Sequence, residues 1–171
     1  MLIYILDDSL LDSNVLKDII ENGDIEKKFT INIENNPTIG KKFILNNYNN
    51  IDLLFLDIQM PKINGIDILR NMIENNISIP TIIYSDFINQ YKSDINQFNI
   101  LKSLKKENIL SDNENNQKII AEIFVQLNFY KSCMLLNKTL SDFIKKRKKY
   151  NGDLYNILND LKKNIANGYK V

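Results

Sequence analysis

The chain has 171 residues, with 22 Lys and Arg against 21 Asp and Glu, one cysteine and no histidine. Without an imidazole, a Ser-His-Asp or Cys-His nucleophile, a His-ligated zinc and a histidine phosphocarrier are excluded within the chain, and the lone Cys133 closes neither an internal disulfide nor a Cys-rich metal cage. At 44% apolar and 25% charged residues, the composition is that of a globular protein with room for one ordinary domain and an appendage.

Leu2–Leu6 is an apolar run too short for a helix, and it reads as a buried strand ending at Asp7-Asp8. A helix follows, capped by Asp8 or Ser9, with a stripe through Leu11, Val15, Leu16, Ile19 and Ile20 that stops near Asn22-Gly23. Phe29–Ile33 alternates as a strand, and Asn36-Pro37 opens a second helix through Ile39, Phe43 and Ile44. The pattern repeats: strand Ile51–Leu56 ending at Asp57, helix Gly65–Ile73, then strand Thr81–Tyr84 behind Pro80. Phe98–Leu101 supplies a short fifth strand.

Strands apolar on both faces and separated by amphipathic helices predict an α/β fold, a doubly wound five-stranded parallel sheet covered on both sides. Beyond about Ser111 the alternation ceases. Ile119, Ile120, Ile123, Phe124 and Leu127 make one helical stripe; Leu136, Leu140, Phe143 and Ile144 continue or restart it; Leu154, Ile157, Leu158, Leu161 and Ile165 make another after Asn151-Gly152. This divides the chain into a domain over 1–111, a polar linker over 112–117 and an all-helical extension over 118–171. The alternative is that Lys118–Gln126 is the first domain's own last helix. Charge divides similarly, with a net −4 over residues 1–111 and +5 over 112–171. No uninterrupted apolar run approaches the ~20 residues that span a bilayer, and MLIYILDD has no basic leader, so the expectation is a cytoplasmic chain without a membrane partner.

Asp7, Asp8, Asp57, Ser85 and Lys102 all fall where strands end, and ligands of such sheets bind outside the carboxyl ends of the strands. Converging carboxylates repel one another and call for a cation, and an all-oxygen donor set favours Mg²⁺ over zinc. Asp57, closing the central apolar run, can act in its own right, because a carboxylate can attack phosphorus. Lys102 offers a point charge to phosphoryl oxygens and Ser85 a small donor. Singly, each has a blander role: Asp8 or Ser85-Asp86 as a helix cap, Asp57 as a turn residue before Met60-Pro61, Lys102 as a solvated cation.

LIYILDDS, IDLLFLDIQMPKINGIDIL, PTIIYS and FNILKSLKKENIL resemble, in order, the signatures of response-regulator receiver domains over roughly residues 1–111. The resemblance implies a flavodoxin-like receiver in which Asp57 accepts a phosphoryl group. It further implies that Asp7 and Asp8, with Asp57 and the Gln59 backbone carbonyl, hold Mg²⁺. Ser85 would follow the phosphoryl group, Lys102 would contact it, and Met60, Pro61 and Gly65 would shape the neighbouring loop. The implied donor is a phosphohistidine on a histidine kinase or histidine phosphotransfer protein, which agrees with the absence of histidine here. Three departures accompany the likeness. Ser103 rather than proline follows Lys102, Asn99 stands three residues before it where the family carries an aromatic, and only 16 residues separate Ser85 from Lys102.

The tail is faintly similar to the start of the DNA-binding domain of the stage-zero sporulation response regulator, without its recognition helix. The preferred expectation is therefore a phosphorylation-dependent signalling protein, not an enzyme beyond slow self-dephosphorylation, whose 118–171 helices bind a protein or form a homodimer. The alternatives are a sporulation-type transcription regulator that binds nucleic acid through the basic C-terminal helices, where Lys145–Lys149 could contact phosphates without sequence preference, and a receiver-only phosphorelay intermediate.

Overall fold

The computed structural model describes residues 1–23, 29–110 and 113–147, together with the single positions 156, 161 and 163. It divides into two compact units, Met1–Phe124 and Val125–Val171.

The first unit contains β1 (Leu2–Leu6), α1 (Leu10–Gly23), β2 (Thr30–Glu34), α2 (Pro37–Asn47), β3 (Leu53–Leu56), α3 (Gly65–Glu74), β4 (Thr81–Tyr84), α4 (Lys92–Ile95), β5 (Lys102–Leu104) and α5 (Lys106–Leu110). It also contains the start of α6 (Asn113–Arg147). The five strands are all parallel, in the order β2-β1-β3-β4-β5. The winding reverses between β1 and β3, so their carboxyl ends open a crevice at the switch point.

Of the interior strands, β1 and β4 have the predicted bounds, whereas β3 starts at Leu53 rather than Ile51. β1, β3 and β4 are buried on both faces, and their alternation sends Tyr4, Leu6, Leu54, Leu56 and Ile83 into one core with Ile44, Ile66, Leu69 and Met72. Asn36 caps α2, its Oδ1 accepting from the amides of Thr38 and Ile39. Asn64 caps α3 through the Ile66 amide. α3 is closed by Asn76, just beyond its C-cap Asn75, with a left-handed φ of 55°. The amides of Asn76 and Ile77 donate back to the carbonyls of Ile73 and Met72, closing a Schellman motif.

Three expectations need correction. The fifth strand is not Phe98–Leu101 but Lys102–Leu104. Phe98–Leu101 is instead an irregular connection from α4 to β5, in which the Phe98 amide donates to the Ile95 carbonyl, Phe98 and Ile100 pack on the core, and the Leu101 amide donates to the Thr81 carbonyl of β4 at 2.8 Å. An edge strand need not be apolar on both faces, so the more hydrophobic neighbouring segment was the misleading signal. In α1 the buried positions are Ser13, Leu16 and Ile20, and Leu11 is exposed. The small Ser13 fits because Asn35 reaches across to donate to its hydroxyl at 3.2 Å. The polar stretch expected as a linker belongs from Asn113 onward to α6, whose first part lies in the first unit. There Ile120 and Ile123 are buried and Phe124 stacks on Phe29, with ring centroids 4.4 Å apart.

Lys118–Asp142 is long and apolar enough to cross a membrane by length and composition alone, which does not place it in one. Its scattered Lys, Glu and Asn residues hide it from a search for uninterrupted runs, and Ile120 and Ile123 within it are core residues. In the second unit, α6 exposes Val125, Phe129, Met134, Leu135 and Leu136. The side chains of Phe143, Ile144 and Lys145–Lys149, and the stripe from Leu154 to Ile165 apart from Leu161, lie outside the described residues.

Candidate functional site: an acidic cluster and its lysine

β1 ends at Leu6 and β3 at Leu56, paired partners in the sheet, so Asp7 and Asp57 leave adjacent strands side by side. The Asp57 amide donates to the Leu6 carbonyl at 2.9 Å, extending that pairing by one residue. Asp7 and Asp57 are 1% and 4% exposed, whereas Asp8 is open to solvent. One carboxylate oxygen from each of the three lies within 4.8 Å of the others.

Backbone groups fix these carboxylates. Asp7 Oδ1 accepts from the Ser9 amide at 2.9 Å, and Asp57 Oδ1 accepts from the Ile58 amide at 2.7 Å. Gly65 stands directly behind Asp57. Its amide donates to the Ile58 carbonyl at 2.8 Å, and a Cβ there would overlap the Asp57 carbonyl. Between them the loop passes through Lys62 with a left-handed φ of 69°.

The cation in the cluster is Lys106, which sequence reasoning missed. Its Nζ is 2.8 Å from Asp7 Oδ2, 3.2 Å from Asp57 Oδ2 and 3.2 Å from Asp12 Oδ2, and the residue is 7% exposed. Lys102 does not join the acids. It opens β5 instead of following it, and its Nζ is 2.8 Å from Glu122 on α6. The later stop of β5, at Leu104 rather than Leu101, is the physical reason, because the residues that emerge at the sheet's carboxyl end are set by where the strand stops. The short interval between Ser85 and Lys102 was the available signal: 20 residues separate Ser85 from Lys106. Ser103 takes the position three before Lys106, so no aromatic stands there either. No cis peptide bond occurs among the described residues.

Burial pushes Asp7 up to about 6 against the lowering pull of hydrogen bonds from Lys106 and the Ser9 amide, with Asp57 adding like-charge repulsion. Burial alone would lower Lys106, but its hydrogen bond to Asp7 and the charges of Asp57 and Asp7 outweigh it and hold the ammonium well above the usual lysine range. Burial likewise raises Tyr84, whose ring centroid is 5.6 Å from Lys106 Nζ. Ser85 is fully buried at the end of β4, its Oγ accepting from the Phe87 amide at 3.4 Å. Gln59 is exposed in the loop after Asp57.

The sequence pattern of the response regulator receiver domain matches residues 3–112. The chain belongs to that family. Solved structures agree on the fold. A response regulator receiver domain protein from Clostridium thermocellum is 21% identical with a TM-score of 0.60, over 76% of this chain and 96% of that one. A CheY-like receiver domain protein from Methanospirillum hungatei is 17% identical with a TM-score of 0.57, over 73% and 94%. The Mn(2+)-bound form of response regulator Rcp1 is 19% identical with a TM-score of 0.56, over 71% and 90%. No curated protein matches the sequence significantly. Receiver domains bind Mg²⁺ in an acidic pocket, and the donors here suit it: three carboxylates, two of them buried, offering hard oxygen ligands.

Proposed function

We propose that this receiver domain takes a phosphoryl group on Asp57 from a phosphohistidine of a histidine kinase or phosphotransfer protein. One observation carries the reading. Asp57 is a buried carboxylate whose Oδ2 meets the Lys106 ammonium while Asp7 and Asp8 gather beside it as hard-cation ligands. In the step itself an Asp57 carboxylate oxygen attacks phosphorus, the new O–P bond forms as the N–P bond to the donor imidazole breaks, and the imidazole leaves with that electron pair. Mg²⁺ held by Asp7, Asp8, Asp57 and the Gln59 carbonyl would supply positive charge that offsets the crowding of anions. Lys106 is suited to hold a phosphoryl oxygen, and the Ser85 hydroxyl to follow the group once it arrives. The modification adds a charge of roughly −1.5 to −2 and new acceptor oxygens, and the regrouping of Lys106 and Ser85 around them is the switch.

For output we infer a protein contact, with a partner or a second copy, through the 118–171 helices. The exposure of Val125, Phe129, Leu135 and Leu136 on α6 supports it. The test is incubation of the full chain with a small-molecule phosphodonor and Mg²⁺, followed by mass analysis and sedimentation. The expected result is one phosphoryl group per chain, lost in Asp57→Asn, with a change of assembly state or partner binding. Full uptake by Asp57→Asn overturns the acceptor. Sequence-selective duplex binding would move the output to nucleic acid.

A further inference from the structure

Lys106 has three N–H donors and meets three carboxylates, of which two, Asp7 and Asp57, belong to the cation-binding cluster and one, Asp12, does not. Asp12 sits in the first turn of α1, three residues after Ser9, whose Oγ accepts from the Asp12 amide at 3.2 Å. In that position an acidic side chain ordinarily reaches back to the capping residue's own amide, closing a reciprocal box. Here the Ser9 amide is already donated to Asp7 Oδ1. The Asp12 carboxylate is released from capping and turns to Lys106, with its side chain only 23% exposed.

A divalent cation in the cluster would draw on the same two carboxylates that hold Lys106 and would repel its ammonium. Cation binding therefore weakens the lysine's hold on Asp7 and Asp57 together. Among the described residues, Asp12 is the anion on Lys106 that the cation does not share. We propose that Asp12 is a positioning residue that keeps the Lys106 ammonium beside Asp57 while a divalent cation occupies Asp7, Asp8 and Asp57, so that metal and lysine act on Asp57 together instead of displacing each other. The proposal rests on the reading of this cluster as a Mg²⁺ site.

The test is calorimetric titration of the full chain with Mg²⁺ alone, for the unsubstituted protein, Asp12→Asn, Lys106→Met and the double variant. Without Asp12, Lys106 falls wholly on the cation's ligands, so Asp12→Asn weakens Mg²⁺ binding by about three- to tenfold, but by less than about twofold when Lys106 is already Met. Equal losses in both backgrounds are what simple removal of a negative charge produces, and they overturn the proposal. A second readout is the acylation of Lys106 by an amine reagent in saturating Mg²⁺, quantified on its peptide. It rises several-fold in Asp12→Asn and returns to the original level in Asp12→Glu; unchanged labelling overturns the proposal. If the unsubstituted chain takes up no Mg²⁺, the cation reading falls and this inference with it, whereas binding with an additive cycle removes this inference alone.

Discussion

Lys106 Nζ lies 3.2 Å from Asp57 Oδ2, while Lys102, four residues earlier, is held 2.8 Å from Glu122 on α6. The two lysines therefore do different work, and their substitutions separate. Lys106→Met leaves three carboxylates without their ammonium. It should cost about 2–4 kcal/mol of stability, much of it recovered by Mg²⁺, and leave acyl-phosphate formation detectable but uncoupled from any change of assembly. Lys102→Ala breaks a partly exposed pair and should cost less than about 1 kcal/mol, with normal phosphorylation. Urea melts with and without Mg²⁺, alongside the phosphodonor assay, check both. A Lys102 variant that loses the response while Lys106→Met keeps it would return the role to Lys102.

Gly65 and Asp57 give the second prediction. The close approach of the Gly65 backbone to the Asp57 carbonyl leaves no room for a side chain, and the obstacle is main chain, which cannot swing aside. Gly65→Ala should destabilise the fold by about 2–3 kcal/mol and lower Mg²⁺ affinity, because Asp57 and the start of α3 must part. A melt within error of the parent would mean that the loop absorbs the methyl group at no cost.

The same contrast between interior and edge explains what could be read in advance. β1 and β4 are legible to the residue because strands buried on both faces must be apolar throughout, and their terminal acids and hydroxyl follow automatically. The convergence of Asp7, Asp8 and Asp57 follows from the same logic. β5 obeys no such rule. As an edge strand it consists of Lys102, Ser103 and Leu104, and the more apolar Phe98–Leu101 is the irregular connection that leads into it. A strand end misplaced by three residues put Lys102 where Lys106, two residues past the true end, belongs. Asp12 was hidden for another reason: its sequence context, Ser-x-x-Asp at a helix start, is fully explained by capping. Only the capture of the Ser9 amide by Asp7 shows that its carboxylate is turned elsewhere.

Asp7 makes the acid cluster testable by pH. Its folded-state pKa of about 6 lies above its ordinary 3.8, so the fold favours the protonated acid. That contribution is complete below the unfolded pKa and is lost as pH rises through about 6. In chelator, stability should therefore decline between about pH 4 and pH 6, and Asp7→Asn should lack the decline, being more stable than the parent by about 1–3 kcal/mol near neutral pH. Urea unfolding at both ends of this range measures it. An Asp7→Asn protein weaker than the parent at neutral pH would show that the ion pair with Lys106 outweighs burial.

Tyr84 closes the site from the sheet side, and its two ends behave differently. The ring lies 5.6 Å from the Lys106 ammonium, close enough for its negative face to favour that charge. The hydroxyl is buried and meets no hydrogen-bonding protein group among the described residues. A buried hydroxyl without a partner carries a desolvation cost of about 1–3 kcal/mol, whereas the ring's contribution survives its removal. Tyr84→Phe should accordingly stabilise the protein, by about 1 kcal/mol, with an unchanged denaturant slope and unchanged Mg²⁺ affinity. Tyr84→Leu removes the ring as well and should destabilise it. Denaturant melts of the two variants discriminate sharply: a loss of stability in Tyr84→Phe would mean that the hydroxyl is satisfied in solution, and equal behaviour of Phe and Leu would mean that the ring contributes packing alone.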